Sequence, residues 1–187
     1  MQRSPTIDKF NLLVDELNQR MESQKRGLAF GKERLLGLHN NGFHIEAFMV
    51  NAQLLEEAVK GVIRTFLLER AAYDACGLAD PYSKVSKDSH EDQPLGNCIY
   101  TLQEYTGKTD LTKKLFEFNR KRRDFIHHAF DGSQDAKLLD EESLNVVSDT
   151  EFMTMVLGIA GIQVDLQKKI QGMYEQMKMV GLSQKPD

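Results

Sequence analysis

The sequence predicts an all-α protein, an up-and-down helical bundle with an additional long helix at its N-terminus, and three observations carry that expectation. Several long stretches repeat apolar residues at alternating spacings of three and four, the period of a helix with one buried face. Only four prolines interrupt the 187 residues. An apolar fraction of 41% and a charged fraction of 28% are those of a globular chain, and the length suits one domain with a sizeable core. The expected organisation is a helical extension over 1–42 packed on a core of 43–181, followed by a disordered tail at 182–187.

The first helix should start at the Ser4-Pro5 pair, where serine caps and proline fits the first turn. Ile7, Phe10, Val14, Leu17, Met21, Leu28, Leu35 and Leu38 then form its buried stripe. Asn40-Asn41-Gly42 supplies residues that tolerate the left-handed turn closing a helix. Gly27 and Gly31 each weaken the interior by about 1 kcal/mol, so a break there is the alternative. A second helix, from about Phe43 to Ala75, carries the broadest apolar surface and is expected at the centre of the bundle. Glu56, Glu57, Arg64, Glu69 and Arg70 read as its solvated face, with the alternative that one acid reaches inward to a buried arginine.

Residues 77–93 lack periodicity and read as a mobile connection. His90, flanked by Glu91 and Asp92, is the one loop histidine there, read as exposed and uninvolved rather than a metal ligand. Pro94 opens a short helix with Leu95, Ile99 and Leu102 inward, ending at Gly107. Asp110 is expected to cap the next helix, which closes near Asp131-Gly132. A polar loop follows. Ser148-Asp149-Thr150-Glu151 has the form of a capping box, and Phe152, Val156, Ile159, Gln163, Leu166, Ile170, Met173, Met177 and Val180 continue as a heptad-like seam. Bundle core and dimer interface both require that stripe, with core the simpler reading. Gly158 and Gly161 would permit close helix approach on another face.

Net charge is -4, which argues against a general nucleic-acid coat protein. Cys76 and Cys98 are too few and too far apart for a zinc ribbon or a disulfide framework, so free thiols are expected. No signal-peptide core or apolar run of membrane-spanning length is present, and a cytoplasmic protein with no membrane contact is the expectation. No Gly-rich phosphate loop or nucleophile elbow appears, and neither a metal nor an organic cofactor is called for.

The chemistry concentrates in L-F-E-F-N-R-K-R-R-D-F-I-H-H-A-F, residues 115–130. Leu111, Leu115, Phe118, Arg122, Phe125 and Ala129 share one helical stripe, which puts a guanidinium in the middle of an apolar face. Pairing with a carboxylate of a neighbouring helix is the structural explanation. Arg120, Lys121, Arg122 and Arg123 form a compact positive patch suited to phosphates. Histidine exchanges protons near neutrality, and a nearby arginine can hold a phosphodiester while charge grows on it. Five residues of helix turn through about 140° beyond a full circle, so Arg122 and His127 cannot share a face, whereas Arg123 and His127 can. Either the helix unwinds around the histidines or a second copy completes the site. The histidines also fit a simple C-terminal helix cap.

This stretch resembles the Arg-x4-6-His motif of HEPN-domain proteins. F-N-R-K-R-R-D-F-I-H is similar to that family's F-N-x-x-R-N-x-apolar-apolar-H, with Arg122 and His127 at the arginine and histidine positions. Arg123 with His128 is an alternative register. L-G-N-C-I-Y-T-L-Q-E-Y upstream looks like the helix preceding the motif, and the resemblance extends over roughly 43–180 in helix order. Arg123 stands where a small polar residue is usual, and neither register supplies the tyrosine of the branch regulated by nucleotidylation. The resemblance implies a HEPN-like bundle and a metal-independent endoribonuclease that leaves a 2′,3′-cyclic phosphate, in a defence or toxin-like role. It further implies Arg122 and His127 as catalytic residues, Asn119, Arg120, Lys121 and Arg123 as RNA contacts, a homodimer with two motifs at one cleft, and a protein antitoxin or regulator as a possible partner. A non-catalytic helical module binding a protein or nucleotide is the competing expectation.

Overall fold

The computed structural model describes residues 5–85, 93–107, 109–131, 135–147 and 150–183. Among them the chain forms six helices and no strand: α1 (Pro5–Asn40), α2 (His44–Ala75), α3 (Leu95–Thr106), α4 (Asp110–Asp131), α5 (Ala136–Val147) and α6 (Thr150–Ser183). The all-α expectation is met. Ser4, His90, Ser148, Asp149 and residues 184–187 lie outside the described residues.

α1 is continuous through Gly27 and Gly31. Glycine at 31 serves packing, since a Cβ there would overlap the Leu54 side chain of α2. α1 closes where expected: Phe43 N–H donates to Leu38 O, the Asn41 amide reaches Gly37 O, and Gly42 takes φ 77°. The antiparallel α2 then passes through the middle of the molecule, packed on α1, α3, α5 and α6. Its aliphatic and aromatic residues Phe48, Leu55, Val59, Ile63 and Phe66 are buried and join α3–α6 in the main core. A second apolar cluster, Phe10 and Leu17 against Leu68, Ala72 and Ile170, fastens α1 to α2 and α6.

Phe152, Ile159, Leu166 and Ile170 of the C-terminal seam are buried within this single chain, so that part of the stripe is core. Gly158 admits α4, because a Cβ there would stand 3.2 Å from Leu111. α3 buries Leu95, Ile99 and Leu102 as predicted and ends at Gly107 with φ 81°.

Four expectations are corrected. The supposed polar loop after α4 contains α5, whose Leu139 and Ser143 are buried and which packs on α2; its twelve residues are too few for the sequence period to stand out. Asp110 does not cap α4. Thr109 does, its Oγ1 accepting from Thr112 N–H at 3.2 Å while Thr112 Oγ1 accepts from Thr109 N–H at 3.1 Å, a reciprocal cap. The connection after α2 is pinned in its first half: Tyr82 packs edge-on to Phe66 and Tyr105, and Val85 is buried. The solvated face of α2 is partly interior, since Glu69 and Arg70 are 0% and 7% exposed.

That burial is explained by the pinned segment. Arg70 donates to Asp80 Oδ2 at 3.0 Å, Val85 O at 3.1 Å and Tyr105 Oη at 3.2 Å. Tyr82 Oη donates to Glu69 Oε2 at 2.9 Å, and Lys169 Nζ of α6 lies 3.7 Å from Glu69 Oε1. Burial pushes the Glu69 carboxyl above the usual carboxylate range, opposed by the Tyr82 hydrogen bond and Lys169. Burial and the adjacent Glu69 likewise push the Tyr82 phenol up.

Candidate functional site

α4 is held by an aromatic cluster. Phe125 and Phe118 sit 4.5 and 6.3 Å from Phe48 of α2, measured between ring centroids, and Phe118 also meets Phe152 of α6 at 5.9 Å. Leu115, Phe118 and Phe125 are buried, and Leu111 packs against the core. The stripe ends earlier than expected, with Ala129 exposed. These anchors fix the rotation of α4 and thereby decide where each motif side chain goes.

Arg122 falls on the anchored side and is paired: its Nη1 lies 3.1 Å from Glu56 Oε2 of α2. The other oxygen of the same carboxylate takes Lys60 Nζ at 3.0 Å. The side chains of Arg122 and Glu56 are 25% and 19% exposed, so this is a partly buried ion pair. One of the acids on α2 therefore does reach the inward arginine. Arg122 Nε and His128 Nδ1 are both withheld from solvent without a hydrogen-bond partner among the described residues, an unusual condition for a polar atom in a packed structure.

α4 remains helical through both histidines to Asp131. The unwinding alternative is thereby removed, and in one chain Arg122 and His127 stand about 140° apart around the axis, as do Arg123 and His128. What the helix does bring together is different. Arg120, Arg123 and His127 fall within about 60° of one another and all are exposed. Phe116 continues this line one turn earlier, its ring 4.6 Å from that of Tyr100 of α3, which is 61% exposed. Asp124, also exposed, shares this side and lowers its net positive charge.

The remaining candidates sit around this face. Asn119 is half-buried against α3, where a Cβ on Gly96 would come within 3.2 Å of its amide nitrogen. Lys121 is exposed on the α6 side, beside Glu117 and Glu151 in a shallow recess. The sequence reading missed Tyr100; its signal was an aromatic residue out of step with the buried positions 95, 99 and 102. Among the described residues no group of three His, Cys, Asp or Glu side chains is placed to hold a metal, and no helix is long and apolar enough to cross a membrane. Cys76 and Cys98 form no disulfide among the described residues, and burial pushes both thiols up.

The chain matches no protein-family model, no curated protein and no solved structure.

Proposed function

We propose that the protein is a metal-independent endoribonuclease of HEPN type, working from the exposed basic face of α4. The observation that carries this reading is the alignment of Arg120, Arg123 and His127 along one accessible face, one turn from the Phe116–Tyr100 aromatic pair. Cations spaced along a helix suit consecutive phosphates, and the exposed Tyr100 ring suits an unstacked base. In the reaction the RNA 2′-oxygen attacks the adjacent phosphorus, the bond from phosphorus to the 5′-oxygen breaks, and a 2′,3′-cyclic phosphate and a 5′-hydroxyl result. His127 takes the 2′-hydroxyl proton, and Arg123, one turn earlier, holds the phosphoryl oxygens as charge develops on them. The 5′-oxygen needs a proton from a second acid. His127 of a second copy would supply it, which makes a homodimer part of the proposal. Arg122 has a positioning role through Glu56. A defence or toxin-like setting, with an antitoxin or regulator restraining the activity, belongs to the same proposal.

A second reading is favoured by one specific observation, the engagement of Arg122 by Glu56, which explains that arginine by stability alone. Under it the protein is a non-catalytic helical module that binds a protein or nucleotide. The discriminating experiment incubates purified protein with end-labelled structured RNA in EDTA, beside His127→Ala, His128→Ala and Arg123→Ala, and identifies the new ends. Cleavage leaving cyclic phosphate, lost in His127→Ala and reduced about 100-fold or more in Arg123→Ala, is the expected result. No cleavage by folded wild-type protein over a range of RNAs gives the surface to the binding module.

A further inference from the structure

A groove of about 510 Å³ lies between α1 and α2, with Gln163 of α6 in its lining. Gly31 faces Leu54 and Gln24 faces Gly61 across it. The two helices thus run antiparallel along the groove, with Leu17 and Leu68 at one end and Arg34 and Val50 at the other. The volume is within the range of small-molecule sites, about 300–1,000 Å³. None of its lining residues belongs to the basic face of α4.

The lining selects a ligand chemistry. Apolar side chains occupy both ends, among them Met21 and Leu68 at one and Phe30 and Leu54 at the other. The middle is polar: Gln163 Nε2 donates to Gln24 Oε1 at 2.6 Å on the floor. Three arginines, Arg20, Arg34 and Arg64, face a single carboxylate, Glu57, on a chain whose net charge is -4. Arg20 pairs with Glu16 at 2.6 Å and Arg64 stands 3.9 Å from Glu57. Arg34, at the apolar end beside Phe30, enters no ion pair among the described residues. The wall is also open at one glycine, since a Cβ on Gly27 would meet nothing within 4 Å.

We propose that this groove binds a small organic anion with an apolar body, its carboxylate, sulfonate or phosphate on Arg34 and its apolar part against Phe30 and Leu54. A guanidinium pairs such groups through two parallel hydrogen bonds, which gives orientation as well as attraction. The Gln24–Gln163 amide pair supplies the polar contact in the middle of the groove, and Gly27 leaves the space the body occupies.

The test uses the full-length protein and two dyes of similar shape, anionic 1-anilinonaphthalene-8-sulfonate and its uncharged counterpart N-phenyl-1-naphthylamine, titrated by fluorescence. Wild type should bind the anionic dye saturably at one site and more tightly than the neutral one. Gly27→Leu, which fills the groove and replaces glycine by a better helix former, should abolish saturable binding of both with helical circular dichroism unchanged. Arg34→Gln, an exposed substitution that keeps the test decisive even where Gly27→Leu disturbs α1, should weaken the anionic dye roughly tenfold and leave the neutral dye unaffected. Absence of saturable binding by wild type, or equal affinity in wild type and both variants, overturns the site. An equal loss of both dyes in Arg34→Gln overturns the anion assignment. Binding that disappears as wild type dimerises with rising concentration gives the groove to a second copy and overturns the proposal as well.

Discussion

Arg70 and Arg122 both carry a guanidinium to the packed side of a helix, and the difference between their surroundings separates a structural site from a candidate functional one. Arg70 meets a carboxylate, a backbone carbonyl and a phenol, all from segments later in the chain. It ties residues 80–85 to α2 and α3. Arg122 meets one carboxylate that is already shared with Lys60, its Nε has no partner among the described residues, and the next turns of its helix present Arg123 and His127 to solvent. A buried charge with several partners holds distant segments in one arrangement, whereas a half-buried one with a single shared partner ties only its own helix to its neighbour.

The largest effect that would break this comparison is expected at Arg70. Arg70→Met leaves Asp80 Oδ2 and Tyr105 Oη without the guanidinium and should destabilise the protein by about 3–5 kcal/mol in chemical denaturation, because one partner of a buried pair is removed. A loss similar to that of an exposed pair would remove the structural assignment. Glu56→Gln should cost less, about 2 kcal/mol, since the Arg122 side chain retains some access to water. The same variant sharpens the comparison further: RNA cleavage should fall more than the unfolding measurement explains, as the rotation of α4 near Arg123 and His127 loosens. Activity that simply follows the folded fraction would reduce Glu56 to a stabilising role.

The smallest effect is a pH dependence at Glu69. Its carboxyl is raised by burial, so the neutral form favours the folded state, and that contribution is present at acidic pH and lost as pH rises through the raised value. Glu69→Gln keeps an acceptor for Tyr82 and removes the titration. The variant should therefore gain stability relative to wild type as pH rises from about 4.5 towards neutrality. Thermal unfolding at the two ends of that range measures it, and a relative loss towards neutrality would show that Lys169 outweighs desolvation.

The helices most legible in the sequence were those whose apolar spacing persists for many turns. α1, α2 and α6 could be placed because each repeats its buried positions far longer than chance permits. α5 could not, since among its described side chains only Leu139 and Ser143 are buried and the twelve-residue stretch looks like a polar loop. Glu69 and Arg70 also escaped, because a charged residue on a helix exterior and one covered by a returning segment look alike until that segment is placed. At the motif, the arginine within an apolar stripe was visible as a pairing requirement, and helix geometry already separated Arg122 from His127. Which acid would answer Arg122 was open among those of α2.

The sequence by itself determined the all-α class, the C-terminal end of α1, both ends of α3, the inward position of Arg122 and the phase relation among Arg120, Arg123 and His127, since each depends only on local period and on residues suited to helix termini. Tertiary structure decided that Glu56 pairs with Arg122, that Phe48 and Phe118 fix the rotation of α4, that Tyr100 stands beside Phe116, and that α1 and α2 leave a groove between them. Those outcomes join residues far apart in the chain. Their partners are selected by how whole helical faces fit, a property that no single stretch of sequence contains.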